Sequence, residues 1–431
     1  MHWDPTYHTN SKALSCNPNT PGTQFGMYGD YHCDPPLLLL DSAVKAMYNI
    51  KSDVDFLIWT GDDTPHIWND TILNKDVVSA IIGNQSTILR QMFENKTVYP
   101  ALGNHDWSPK NQVPPRSDQL YDTIAEFWKY WLDDEALVTF KQAAYYTMMI
   151  SNKLRMVVLN TNLYYDSNKL TEAMPDPGNQ LQWFDDLLNT ATLHNEKVIV
   201  VAHVPPGVFE KHRNKHWFYP YYNDLFLFLL KKHSAIIGSV HMAHHHTDSF
   251  RVHYEDDGTP VTSLFLAPSV TPWETTLPDV MGGLGNNPGI RLIQYDRDSG
   301  RVLDIHQYYL NLTKANLDST DQWLLEYNAT SYFGVPDMSP SSLHDLAEKM
   351  KDDDQLFSKY YKANGVLYDP DERWVEEMRI VHYCAAVNMA YDRYDECIRS
   401  MEAVSGAVQD ISRLKVFPIL VTYWLVSLLM D

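Results

Sequence analysis

The sequence predicts an α/β protein whose functional groups lie at the C-terminal ends of its strands. Three observations carry this. Short apolar runs alternate with segments of helical spacing between residues 37 and 240. Several of those runs stop at a point where a carboxylate, an amide or an imidazole follows. A chain of 431 residues, 44% hydrophobic and 13% aromatic, is long enough for one large core and an appended subdomain.

Leu37 to Asn49 has helical spacing. Val54 to Thr60 reads as an apolar strand, and Gly61-Asp62-Asp63-Thr64-Pro65-His66 follows it. Residues 71–94 read as a helix. Thr97 to Leu102 reads as a buried strand that turns at Gly103 into Asn104-His105-Asp106. Tyr121 to Leu137 reads as one helix whose aromatics, Phe127, Trp128 and Trp131, belong to the core. Strands are expected at Ala144–Ile150 and Leu154–Asn160, and an amphipathic helix at Asn179–Thr192. Val198 to Ala202 is a purely apolar strand that ends at His203-Val204-Pro205-Pro206. Ile236 to Val240 leads to His241 and then to Ala243-His244-His245-His246. In an extended segment His244 and His246 address one side and His245 the other.

Taken singly, each signal has a plainer reading. Asp62 would cap a turn, Asn104-His105 would be only a turn, His66 would lie on the surface, and His2 would be a flexible terminal residue. Taken together, Asp62, Asn104, His203, His244, His246 and His2 supply enough nitrogen and oxygen ligands for two borderline divalent cations, with one bridging carboxylate. Two such cations polarise a phosphoryl group and lower the pKa of bound water. A nearby histidine that is not a ligand can then protonate the leaving oxygen.

The order Gly61-Asp62, Gly103-Asn104-His105-Asp106, His203 and His244-His245-His246 resembles the calcineurin-like metallophosphoesterases. Longer phrases are more specific. They run Trp59 to His66, Ala101 to Asp106, Asn160 to Tyr165, Ala202 to Gly207, Asn286 to Arg291 and Tyr308 to Asn316. These resemble the acid sphingomyelinase-like phosphodiesterases, nearest their GPI-anchored 3b-type branch, over residues 2 to 400. The resemblance implies an αββα sandwich of two mixed sheets with a helical C-terminal subdomain. It implies two Zn²⁺ ions, one held by His2, Asp62 and His246 with a further Asp, the other by Asp62, Asn104, His203 and His244. It also implies that His105 and His66 contact the phosphate and protonate the leaving group. The corresponding domains are residues 1–310, the metallophosphoesterase domain, and 311–404, the C-terminal subdomain. Residues 405–431 would be a GPI-attachment signal.

Three departures from the family stand out. The family's first motif is Asp-X-His, and Met1 occupies the X position here. With the unusual opening Met1-His2-Trp3-Asp4, this gives the expectation of a truncated N-terminus lacking a strand and its ligand. Ala243 stands where the family has Gly, and Trp374 and Met378 stand where it carries a further cysteine pair.

Cys16 with Cys33, and Cys384 with Cys397, form two sequence-local pairs and point to two disulfides in an oxidising compartment. Sequons at Asn69, Asn84, Asn95, Asn311 and Asn328 favour the secretory route. Small residues Ser405-Gly406-Ala407, a polar spacer to Lys415 and the apolar run Val416–Met430 have the layout of a GPI signal. The expected location is therefore secreted or on the outer face of the cell membrane. A net charge of -21 excludes duplex nucleic acid as a partner. The expected enzyme is a monomeric phosphodiesterase acting on small nucleotide-type or phosphocholine-type phosphodiesters or pyrophosphates. Sphingomyelin is the alternative substrate, and a non-catalytic cell-surface protein is the alternative class.

Overall fold

In the computed structural model the described residues are 1–414 apart from 18, 19, 21, 23, 68, 70 and 370, and exclude the side chains of 405–414. Strands β1 (Phe56–Trp59) and β2 (Thr97–Pro100) pair in parallel. Strands β3 (Tyr146–Met149), β4 (Leu154–Val158), β5 (Lys197–Val201), β6 (Ile237–Met242), β7 (Ser249–Tyr254) and β8 (Pro260–Leu266) build a six-stranded sheet in the order β3-β4-β5-β6-β8-β7. Its inner strands are parallel, and β3 and β7 run antiparallel at its edges. Strand β5 is apolar from Val198 to Val201 and buried there on both faces, as a central parallel strand requires. Strands β9 (Gly289–Tyr295), β10 (Val302–Leu310) and β11 (Trp323–Asn328) form an antiparallel ladder with β10 in the middle.

Helix α1 (Leu37–Ile50) packs on α2 (Lys75–Met92) and on β9. Asn74 caps α2 by accepting from the backbone N–H groups of Asp76 and Val77. The single helix expected over 121–137 is two, α3 (Gln119–Trp128) and α4 (Asp134–Ala143). The break has a local cause: the Asp133 side chain accepts from Ala136 N and starts a new helix. Helix α5 (Gln180–Leu193) packs on β5, and α6 (Pro220–Lys232) on β7 and β8.

The C-terminal region follows as α7 (Leu312–Asp318), α8 (Ala329–Phe333), α9 (Pro340–Asp352), α10 (Asp354–Asn364), α11 (Glu376–Val387) and α12 (Tyr391–Leu414). Helices α9 and α11 lie on β7, so this region is packed onto the sheet that carries half of the candidate site. Both expected disulfides are present, Cys16–Cys33 and Cys384–Cys397. Trp374 packs edge-on against Phe357, and its indole donates to Ser358; Met378 joins the same apolar cluster. Among the described residues no helix is long and apolar enough to cross a membrane, and the run Val416–Met430 lies outside them.

The layer facing the six-stranded sheet is divided. Among the described residues β1 pairs only with β2 and β9 only with β10. A cavity of 630 Å³ separates these two ladders, between Ile58 of β1 and Leu292 of β9. Met47 of α1 bounds it on one side, and Ile199 and Phe265 of the large sheet on the other.

Candidate metal centre

The centre is built where β1 and β2 end side by side. Gly61 has φ +81°, and a Cβ there would come within 2.3 Å of the Gly103 nitrogen. A Cβ on Gly103 would in turn meet the Asp62 carboxylate at 2.1 Å. Both positions therefore need glycine for the two loops to touch. The Asp106 carboxylate stitches them together by accepting from the N–H groups of Gly103 (2.8 Å), Asp62 (2.8 Å) and Asp63 (2.7 Å). Burial and the neighbouring Asp62 push Asp106 up to about 6. Asp62 Oδ1 accepts from His105 N at 2.9 Å, which leaves Oδ2 to face the histidines.

Four acceptors converge on that face. His203 Nε2 lies 2.9 Å and His2 Nε2 3.3 Å from Asp62 Oδ2. His203 Nε2 lies 3.2 Å from Asn104 Oδ1, and His2 Nε2 lies 3.2 Å from His246 Nε2. The far nitrogens fix the tautomers. His203 Nδ1 is 2.7 Å from the Thr60 carbonyl and His2 Nδ1 2.7 Å from that of Thr64, and a carbonyl only accepts. Each Nδ1 thus carries the proton, and each neutral Nε2 turns a lone pair toward a carboxylate. A proton or a cation must sit between them. Burial would lower the His203 ring, yet Asp62 lifts it above its ordinary value. Burial would raise Asp62, yet His203, His105 and His2 hold it well below the usual carboxylate range.

His244 and His246 are half-buried, and desolvation holds both rings well below their ordinary pKa. The buried His244 Nε2 has no hydrogen-bond partner among the described residues. Donor atoms of Asp62, His203 and His244 lie within 4.8 Å of one another, and so do those of His2, Asp62 and His246. Asp62 is common to both sets. The unpartnered His244 nitrogen and the converging lone pairs fit divalent metal binding.

The residues reach this point by a different backbone from the one the sequence suggests. The segment 243–246 is not extended. His244 has φ 72° and His246 φ 64°, both left-handed. The two rings point to the centre and His245 away from it because of these turns, not because of strand alternation. Ala243 is not among the positive-φ residues, so its Cβ brings no backbone strain. His2 is fully buried rather than a flexible terminus, and its backbone N–H donates to the Asp62 carbonyl at 2.7 Å.

His66 and His105 form the second half of the site. Donor atoms of His2, His66 and His105 lie within 4.8 Å of one another. His66 Nδ1 is 3.0 Å from both Asp34 oxygens, and its ring stacks on Trp273 at 3.7 Å. Burial holds both histidines well below their ordinary value. Asp34 and Trp273 are contributors that the sequence did not disclose. Asp34 lies in a Pro-rich loop 32 residues before His66, and no spacing links it to the strand ends.

Comparisons with known proteins agree with this construction. The model for calcineurin-like phosphoesterases matches residues 24–248, and that for the acid sphingomyelin phosphodiesterase C-terminal region matches 259–404. Acid sphingomyelinase-like phosphodiesterase 3b of Mus musculus is 41% identical over 409 residues, covering 94% of this chain and 89% of that one. Cyclic GMP-AMP phosphodiesterase SMPDL3A of Homo sapiens is 37% identical, covering 93% and 89%. Sphingomyelin phosphodiesterase of Bos taurus is 30% identical, covering 97% and 68%. The matched residues include both strand-end loops and the histidine turn, and the chain belongs to the acid sphingomyelinase-like phosphodiesterases of the calcineurin-like metallophosphoesterase superfamily.

Proposed function

We propose that the chain is a di-zinc phosphodiesterase that hydrolyses small, soluble nucleotide-type or phosphocholine-type phosphodiesters or pyrophosphates. The observation that carries this reading is Asp62, shared by two donor sets whose lone pairs converge. His2, Asp62 and His246 would hold one cation, and Asp62, Asn104, His203 and His244 the other. Bound there, two cations supply Lewis acidity toward the phosphoryl oxygens and make a nucleophilic water available near neutral pH.

The chain's own residues do the rest. Asp62 Oδ1 and Asp106 keep the two strand-end loops in contact, which fixes the spacing of the donor sets. A water adds to phosphorus, the P–O ester bond breaks, and the leaving oxygen takes a proton. His105 is placed to give that proton, since its ring borders the donor cluster without belonging to the sets around Asp62. Asp34 orients His66 by accepting from Nδ1–H, which turns Nε2 toward the phosphate position.

The names of the relatives, which include a cyclic GMP-AMP phosphodiesterase and a sphingomyelin phosphodiesterase, support a diester substrate and frame the choice. The same proposal places the protein outside the cytosol. Two disulfides and the exposed sequon asparagines Asn69, Asn84 and Asn95 support this, as does the GPI-like sequence of the tail. Turnover of zinc-loaded and chelator-treated protein against nucleotide diesters, CDP-choline, nucleoside triphosphates and sphingomyelin tests the reading. The expected result is zinc-dependent cleavage of the soluble substrates. Preferential cleavage of sphingomyelin would replace this substrate class, and zinc binding without any turnover would favour a non-catalytic protein.

A further inference from the structure

We infer that Glu210, together with Trp217 and Asn364, positions the two metal-facing histidines through His245, and that this tie is how the C-terminal helical region reaches the metal centre. The inference rests on the metal reading of His244 and His246 given above.

Two non-glycine residues in the left-handed region within three positions are strained, and such a turn persists only when its surroundings over-determine it. His245, between them, supplies the anchor. Its ring is buried and both nitrogens are used: Nδ1 lies 2.8 Å from Glu210 Oε2, and Nε2 2.7 Å from Trp217 Nε1. An indole N–H only donates, so His245 Nε2 accepts and Nδ1–H donates to Glu210. The tautomer follows from the partners. Trp217 also presents its ring to His244, at 4.3 Å and 82°. One side chain therefore holds His245 by its N–H and His244 by its ring.

Glu210 is the hub. Its buried carboxylate also accepts from Thr247 Oγ1 (2.5 Å), Arg251 (2.7 Å) and Asn364 Nδ2 (3.0 Å). Residues 245 and 247 are thus both fastened to it, and His246 is carried between them. Glu210 follows His203 by seven positions, so the same carboxylate ties the loop after β5 to the loop after β6. Asn364 is the last residue of α10 and belongs to the region matched by the C-terminal family model. It exchanges backbone and side-chain hydrogen bonds with Asp248 as well. Metal-ligating histidines are usually oriented by a partner on their own second nitrogen. Here the partner acts on the intervening histidine and sets two ligands at once.

The test uses the whole chain with Trp217→Phe, Asn364→Ala and Glu210→Gln. Four quantities are read: zinc affinity by competition with a chromogenic chelator, the visible absorption of the cobalt-substituted protein, kcat and KM separately, and Tm. Trp217→Phe keeps an aromatic ring and removes the N–H, and Asn364→Ala removes the amide that donates to both Glu210 and the Asp248 carbonyl; the Tm reading shows that each variant is folded. The expected result is a zinc affinity lower by about 10- to 100-fold, a changed cobalt spectrum, and a fall in kcat larger than any rise in KM. Glu210→Gln should show the largest loss. A lowered Tm with unchanged zinc affinity and cobalt spectrum in all folded variants would overturn the inference and leave Glu210 a structural ion cluster. A wild-type chain that binds neither zinc nor cobalt would overturn the metal reading itself, and the inference with it.

Discussion

The two β layers that meet at the metal centre are built to different standards. In the six-stranded sheet β5 and β6 are paired on both edges, and His203, His244 and His246 follow directly from their ends. In the opposite layer β1 and β9 each have an edge on the 630 Å³ cavity, and Asp62, Asn104 and His105 follow β1 and β2. The difference shows that precision at the site does not come from strand pairing alone. On the closed side, a paired sheet and the Glu210 hub fix the ligands. On the divided side, two glycine contacts and the Asp106 carboxylate do the fixing. Asp62 joins the two sides, because its carboxylate belongs to both donor sets.

The largest effect is expected at Asp62. Asp62→Asn keeps the side-chain shape and removes the charge shared by the two layers. The loss of several kcal/mol of transition-state stabilisation corresponds to a fall in kcat/KM of about a thousandfold. Steady-state kinetics with bis-p-nitrophenyl phosphate, together with metal content, check this. Near-normal values of both would mean that the layers are held by something else.

His105→Ala should be next in size. It leaves both donor sets intact and removes the proton source, so alkyl esters should lose about 10²- to 10⁴-fold in rate. A p-nitrophenyl leaving group departs as a stable anion and should lose far less. Equal losses for both esters would assign the proton to another group, with His66 and its Asp34 partner next in line.

Much of this site was legible in the sequence because strand ends are. A buried parallel strand must read as a short apolar run, and whatever follows it lies at one edge of the sheet. Asp62, Asn104 and His203 could be found that way. His244 and His246 were placed for a reason the backbone does not obey, since their left-handed turns leave no periodic trace. Asp34, Glu210 and Trp217 act through contacts at long sequence separation, and nothing in spacing or composition distinguishes them from surface residues. The break between α3 and α4 went unread because the aromatic stripe continues across it, while the cap at Asp133 is a single side chain. The divided layer was likewise invisible, since pairing is a property of edges and not of runs.

A smaller effect sharpens the contrast in packing. Val157 of β4 is fully buried in the closed sheet, away from the cavity, whereas Ile58 of β1 borders it. Val157→Ala should destabilise by about 2 kcal/mol, while Ile58→Ala, which removes a larger side chain already facing empty volume, should cost about 1 kcal/mol or less. Denaturant melts of both variants measure this. The reverse order would show that the divided layer is as tightly packed as the closed one.

Anomalous diffraction across the zinc absorption edge, on crystals of the zinc-loaded chain, tests whether Asp62 is shared by two cations. Two peaks that share Asp62 are expected, one bounded by His2 and His246, the other by Asn104, His203 and His244. A single peak remote from Asp62, or no peak among these residues, would contradict that sharing.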